Sequence, residues 1–338
     1  MDNVNSYFRL LMKLSQFYKA LIFTSSFTLL GCSTVVSSFI EESNSFDYLN
    51  VASNEDIERY GFGNGYFCSD SQDVCVSYLE AKPLNTSKLR YTTELDSNGQ
   101  ETTVSLEIKN TSLTRDFKGT VVLLHGYRAS KEFMINSALF FRFLGFDVLV
   151  PDLLGHGKSS GEKSYGVGDA PIINELINSK IAEGQRLYLL GNSMGSVTAA
   201  YLSNMRKDIS GVILQAPMLE FDQAVSNYIN ANFPLANYLF SKQSIKEGAI
   251  SSLKRADLSL EQTNIKPLIM SSKAPVIIFA SASDTVAPYS YFKDLTSDRV
   301  KTVKVPDRNH PSMAVIGDSE SHEVIKWLSE ITGIKITN

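Results

Sequence analysis

The segment Gly191-Asn192-Ser193-Met194-Gly195 lies between an apolar run, Leu187–Leu190, and a helix-forming run, Ser196–Asn204. A strand that passes into a helix through so short a turn crowds its own backbone. Small residues must therefore flank the central serine while its Oγ projects clear of the sheet. Ser193 then stands at a helix N-terminus, where free N–H groups and the helix dipole favour negative charge. The N–H of Met194 is accordingly a candidate to hold an oxyanion. Such a strand–turn–helix unit requires a sheet covered by helices, and the sequence beyond residue 119 supplies one. Short apolar runs alternate there with amphipathic stretches: Val121–Leu124, Asp147–Val150, Leu187–Leu190, Val212–Gln215, Val276–Phe279 and Val300–Val305. This is the pattern of an α/β fold with a mainly parallel sheet flanked by helices. The periodicity predicts a last helix over 321–332.

One interval is too long for a simple connection. Between Ala216 and Ala274 lie nearly sixty residues, including Phe221, Tyr228, Phe233, Leu235, Tyr238, Leu239 and Phe240. They fit an inserted helical lid over 218–274 better than a loop. Its aromatic residues read as lid core rather than as substrate contacts. Upstream, residues 88–95 and 101–109 alternate around Asp96-Ser97-Asn98-Gly99, a hairpin signal. The α/β core is thus expected over 88–217 and 275–338.

A serine hydroxyl is a weak acid, so a nucleophile at Ser193 needs a base, and the base needs an orienting acid. The chain has four histidines. His125 directly follows the run Val121–Leu124, His156 lies in a glycine-rich loop, and His322 begins the last helix. His310, in Pro306-Asp307-Arg308-Asn309-His310-Pro311, falls in the loop between the last apolar run and that helix. Position therefore favours His310 as the base. Asp284 sits just past Val276–Phe279 and is the expected acid, with Glu220 or Asp222 after the preceding strand as alternatives. The order Ser193, Asp284, His310 is the one expected of this architecture. This chemistry requires no metal and no organic cofactor.

His125-Gly126, Gly155-His156-Gly157-Lys158-Ser159-Ser160-Gly161, the turn at Ser193, Ala216-Pro217-Met218, Asp284 with Pro288, and His310 together resemble the α/β-hydrolase superfamily. Within it they are similar to the monoacylglycerol lipase and lysophospholipase L2 group, from about residue 90 to 332. The resemblance implies an α/β-hydrolase fold and a serine ester hydrolase acting through an acyl-enzyme on a small-molecule or lipid ester. It implies that the residue after His125-Gly126 supplies a second oxyanion N–H, hence Tyr127 beside Met194. It also implies that Gly155–Gly157 shapes a loop near the pocket and that His156 is structural. Asn192 departs from the His commoner in the turn, and Arg308 from the Gly often found before the catalytic His; neither removes a reacting group. A peptidase or thioesterase of the same fold stays open, since fold does not fix substrate. So does a surface binding protein without turnover, although that reading predicts a damaged triad.

The N-terminus reads as an address. Arg9, Lys13 and Lys19 precede an apolar stretch, residues 20–30, that is shorter than a membrane span of about 20 residues. Leu29-Leu30-Gly31-Cys32-Ser33 resembles the lipobox of bacterial lipoproteins, which implies cleavage of a signal peptide over 1–31 and acylation of Cys32. Met12-Lys13 is the more usual signal start. Ser33 resembles the outer-membrane sorting pattern, so the expected place is the bacterial cell envelope, lipid-anchored at the outer membrane. Residues 32–60, rich in Ser, Asn and Glu, read as a tether. The two other cysteines, Cys68 and Cys75, fall in an extension over 61–87; in an exported protein they are expected to pair, in a cytoplasmic one to stay free. The net charge of −4, with no run of Lys or Arg, gives no footprint for nucleic acid, and no obligate protein partner is indicated. Removing 1–31 takes away three positive charges and Asp2 and leaves −6, so the lipid rather than charge must hold the protein at an anionic membrane.

Overall fold

A computed structural model describes residues 31–42, 52–97, 99–109, 117–233 and 235–334. The signal peptide expected over 1–31 lies outside the described residues except for Gly31. The strands are β1 (Gly63–Ser69), β2 (Val74–Ala81), β3 (Lys88–Ser97), β4 (Gln100–Lys109), β5 (Thr120–Leu124), β6 (Asp147–Pro151), β7 (Leu187–Asn192), β8 (Ile209–Gln215), β9 (Val276–Ser281) and β10 (Val300–Val305). Eight of them form one sheet in the order β1-β2-β6-β5-β7-β8-β9-β10. From β6 to β10 every neighbour is parallel. Every residue of β5, β7 and β9 is buried. Helices cover both faces of these strands, so they read as continuous apolar runs rather than as alternating ones. The six runs beyond residue 119 all become parallel strands, and the last helix spans Asp318–Thr332.

The long interval after β8 is helical: Phe221–Asn232, Ala236–Leu239, Lys242–Arg255 and Lys266–Ser271. Three features differ from the sequence reading. The 61–87 stretch, read as an extension, contributes β1 and β2 to the main sheet, where Tyr78–Ala81 pair antiparallel with Val148–Pro151. Conversely, β3 and β4, read as the start of the core, form a separate two-stranded sheet. They bury one face each, as their alternation requires. The third difference is at 32–60. Cys32–Glu42 is a helix, with Val36, Ser37 and Ile40 buried, and Asn54–Arg59 is a second, short one capped by Ser53. Val36 and Ile40 are four residues apart and so share one helical face. That face packs along Lys242–Arg255 so closely that a Cβ added at Gly248 would lie 2.6 Å from Val36 Cβ. The start of the supposed tether is therefore part of the packed structure.

Cys68 and Cys75 face each other across the β1–β2 register and are joined as a disulfide.

Candidate active site

The turn after β7 has the crowding that its glycines suggest. A Cβ at Gly191 would lie 2.5 Å from Gly195 O, and one at Gly195 would lie 2.2 Å from Leu124 O. Ser193 itself takes φ +49°, a left-handed conformation that is uncommon for a residue with a side chain and is sustained here by its surroundings. Its N–H donates to Gln215 O at the end of β8 (2.9 Å), and its carbonyl accepts from Met218 N–H and Ser196 N–H. The helix Gly195–Met205 starts immediately after it, with Met194 as N-cap and almost fully buried.

Three loops at the C-terminal edge of the sheet converge on this serine. His310 Nε2 lies 2.9 Å from Ser193 Oγ, and His310 Nδ1 lies 2.8 Å from Asp284 Oδ2. Asp284 is fully buried, and its other oxygen, Oδ1, accepts from Val286 N–H and Ala287 N–H, both at 2.8 Å. The carboxylate is thus fixed in rotation, with one oxygen left for the imidazole. The alternatives for the acid lie elsewhere: Glu220 Oε1 accepts from Asn264 (2.8 Å), and Asp222 pairs with Lys246 (3.2 Å). A hydroxyl, an imidazole and a carboxylate in this series can pass a proton from Oγ to Nε2 as Oγ attacks an electrophilic carbon.

The loop after β5 comes close to the same serine, because a Cβ at Gly126 would meet Asn192 Oδ1 at 3.1 Å and Ser193 Cβ at 3.2 Å. Tyr127 follows directly. His125 and His156 stay away from the proton path. His125 Nδ1 donates to Gly126 O (2.7 Å) while Nε2 accepts from Leu153 N–H (2.9 Å), which ties the β5 loop to the β6 loop. His156 Nδ1 donates to Leu154 O (2.9 Å). Burial holds the first down to about 4 and the second, beside the first, to about 3, so both rings are neutral near pH 7. Beneath them Asp152 binds Lys131 Nζ (2.6 Å) and the N–H groups of Lys131 and Lys158. Gly157 has φ +55°, and a Cβ there would lie 2.3 Å from that carboxylate.

The His310 loop is held by Arg308 and Asn309, to which their place in the sequence assigned no structural role. Arg308 is 6% exposed; its Nη2 meets Glu320 Oε2 at 2.7 Å and its Nη1 donates to Ser312 O at 3.2 Å. Asn309 Nδ2 donates to Leu95 O (2.9 Å) and Gln100 O (2.8 Å), pinning the loop to the β3–β4 hairpin. The only signal was negative: Arg308 stood where glycine is usual. Arg308→Ala would leave the Glu320 carboxylate, 2% exposed, buried without its cation. It is expected to destabilise the fold by about 3–5 kcal/mol, seen as a fall of roughly 10 °C in Tm. Pairing it with Glu320→Ala should restore part of that loss in the same melting experiment.

A half-open cavity of about 390 Å³ adjoins His310, lined by Ser97, Gln100, Asn227, Asn230, Ser283, Thr285 and Asn309 together with Ala231. Among the described residues that line it there is no Asp, Glu, Lys or Arg. No cluster of three or more His, Cys, Asp or Glu suited to a metal ion occurs among the described residues.

Comparison with known proteins bears on the family and the fold. The sequence pattern of the family described as "Serine aminopeptidase, S33" matches residues 115–290. A multifunctional-autoprocessing repeats-in-toxin protein of Vibrio vulnificus is 31% identical over 123 residues, and the caffeoylshikimate esterase of Arabidopsis thaliana is 28% identical over 120. These matches take in 34% and 31% of this chain but only 2% and 35% of the two relatives. Among solved structures, the Pyrococcus furiosus esterase Pf2001 superposes with a TM-score of 0.57 at 16% identity, over 86% of this chain and 96% of that one. A structure described as a membrane phospholipase A, a bacterial virulence factor, superposes with a TM-score of 0.54 at 18% identity, over 96% and 99%. At these identities the structural likeness is one of fold.

Proposed function

The chain belongs to the serine aminopeptidase S33 family, serine hydrolases of the α/β-hydrolase fold, and from that premise we propose that it cleaves carboxylic esters with Ser193 as nucleophile, His310 as base and Asp284 as orienting acid. The observation that carries this reading is the unbroken hydrogen-bonded series from Ser193 Oγ through His310 to Asp284. Oγ attacks the carbonyl carbon as Nε2 takes its proton, and the N–H groups of Met194 and Tyr127 hold the tetrahedral oxyanion. The imidazolium then protonates the departing alkoxide, leaving an acyl-enzyme. Water, deprotonated by the same Nε2, attacks the acyl carbon and releases the acid and free Ser193. The same series argues against a binding protein without turnover.

The leaving alcohol must depart beside His310, because that ring supplies its proton. The cavity at this place offers amides and hydroxyls, which suit an uncharged polar alcohol. Among the described residues that line it there is no Lys or Arg to meet a phosphate, which makes a monoacylglycerol the substrate to set against a lysophospholipid. Nor is there an Asp or Glu among those described lining residues to meet a free α-ammonium, which supports an ester over an aminopeptidase substrate, although the triad itself serves either bond. We further propose that Cys32, the exposed first residue of its helix, is acylated, holding the enzyme at the bacterial outer membrane beside such substrates. Two or more acyl chains anchor durably where one does not. Among the described residues no helix is long and apolar enough to cross a membrane.

The test is fluorophosphonate labelling of the full-length protein, with turnover of p-nitrophenyl esters of increasing chain length, monoacylglycerol and lysophosphatidylcholine. A single labelled band, lost in Ser193→Ala, and faster turnover of monoacylglycerol are expected. Absent labelling, or labelling that persists in Ser193→Ala, would sink the mechanism; preference for acetate and butyrate would remove the lipid substrate. Cys32→Ala is expected to move the protein from the membrane to the soluble fraction, and unchanged fractionation would count against acylation.

A further inference from the structure

We propose that the helix Cys32–Glu42 is a latch that positions the oxyanion loop, with Ile40 as the positioning residue. Its main-chain carbonyl holds the Tyr127 side chain and so fixes the N–H that receives the developing oxyanion. The inference rests on the hydrolase reading above and adds to it a part of the chain outside the family match.

Tyr127 Oη donates to Ile40 O at 2.5 Å, and Lys163 Nζ donates to Glu41 O at 2.9 Å. Both acceptors belong to the last turn of the helix, where the main-chain carbonyls carry the negative end of its dipole. A hydroxyl from the β5 loop and an ammonium from the β6 loop therefore meet the helix where it binds donors best. The next residue of the oxyanion loop is held as well. The Arg128 guanidinium lies 5.6 Å from the centre of the Phe39 ring, and its Nη1 donates to Tyr228 Oη of the lid at 3.3 Å. Arg128 takes φ +62°, a conformation that a residue with a Cβ keeps only when its surroundings impose it.

The opposite side of the same helix is fastened to the lid. Glu41 pairs with Arg255, Ser252 Oγ donates to Ser37 O, and Phe39 packs edge-on against Phe233 with centroids 5.4 Å apart. Gly248 is the close point, since a Cβ there would lie 2.6 Å from Val36 Cβ and 2.8 Å from Ser33 O. One short helix thus connects the lid, the β6 loop and Tyr127. Oxyanion donors act only when held within a fraction of an ångström of their place, so displacement of this helix should be read in the chemical step.

Two substitutions in the full-length enzyme separate this role from general stabilisation. Tyr127→Phe removes only the hydroxyl. Gly248→Leu pushes the helix from the lid side without touching the oxyanion loop. Each is expected to lower kcat by about tenfold with KM within about twofold. The double variant should be no slower than the worse single one, because both break one connection. Multiplying effects, or a Tyr127→Phe enzyme with kcat within twofold of the parent, would overturn the latch. The second criterion decides by itself if Gly248→Leu does not fold. The parent's labelling at Ser193 by the fluorophosphonate keeps the two readings apart. A parent that labels and turns over while Tyr127→Phe matches it loses only the latch; a parent that does not label loses both.

Discussion

Asp284→Asn is expected to lower kcat by about 10⁴-fold, the scale seen when a triad carboxylate becomes an amide, while KM and folding stay near parental values. The reason lies in how the carboxylate is held. Oδ1 accepts two main-chain N–H groups, from Val286 and Ala287, each at 2.8 Å. The amide must keep its oxygen there, since an NH₂ group would face two donors with nothing to donate to. Its NH₂ is therefore turned toward His310 Nδ1, where the parent offers Oδ2 at 2.8 Å. A donor facing Nδ1 makes that nitrogen an acceptor and moves the imidazole proton to Nε2. Nε2 then meets Ser193 Oγ as a donor and cannot take its proton. Binding is untouched, so the loss falls on kcat. Turnover of a p-nitrophenyl ester reads it directly. Glu220→Gln and Asp222→Asn should each remain within about threefold of the parent, because their carboxylates face Asn264 and Lys246 instead. An Asp284→Asn enzyme with a tenth or more of parental kcat would show that the acid has been misassigned.

How much of this was legible in the sequence follows from the range over which each feature is encoded. The parallel strands were readable because burial on both faces leaves a continuous apolar run in the chain itself, as at Val276–Phe279. The turn at Ser193 was readable because its crowding is local: Gly191 and Gly195 are excluded from carrying a Cβ by backbone a few residues away and by Leu124 on the adjoining strand. His310 and Asp284 could be placed by position relative to those strands. Features that depend on distant partners were not readable. β2 joins the main sheet through β6, some seventy residues on, and nothing in its composition distinguishes that pairing from a local hairpin. The buried pair of Arg308 and Glu320 is two surface-type residues until the loop and the last helix are brought together. The helix at Cys32–Glu42 did carry a signal, Val36 and Ile40 four apart, but Ser- and Glu-rich flanks masked it. Its partners, Tyr127 and Gly248, lie tens to hundreds of residues away.

Acid should unfold this protein earlier than its carboxylates alone require, because two buried histidines must gain protons to unfold. His125 is held to about 4 and His156 to about 3 by burial, against about 6.5 in an unfolded chain. Between pH 6.5 and those values the unfolded chain binds protons that the native state refuses, so stability rises with pH there and is lost on acidification. The hydrogen bonds agree with this sign. Protonation would place a second N–H on His125 Nε2, directly against the Leu153 N–H that it accepts at 2.9 Å. On His156 it would place a charge on a buried nitrogen, Nε2, with no hydrogen-bond partner among the described residues. From pH 7 to pH 4.5 each histidine should remove about 2–3 kcal/mol, roughly 5 kcal/mol together. Asp152 and Asp169 pull the other way, since burial raises both and acid relieves them. A difference measurement therefore isolates the histidine effect. In urea unfolding, His156→Gln should be less stable than the parent at pH 7, and the gap should narrow by about 2–3 kcal/mol at pH 4.5. A gap that does not change with pH would mean that His156 is not held neutral by the fold.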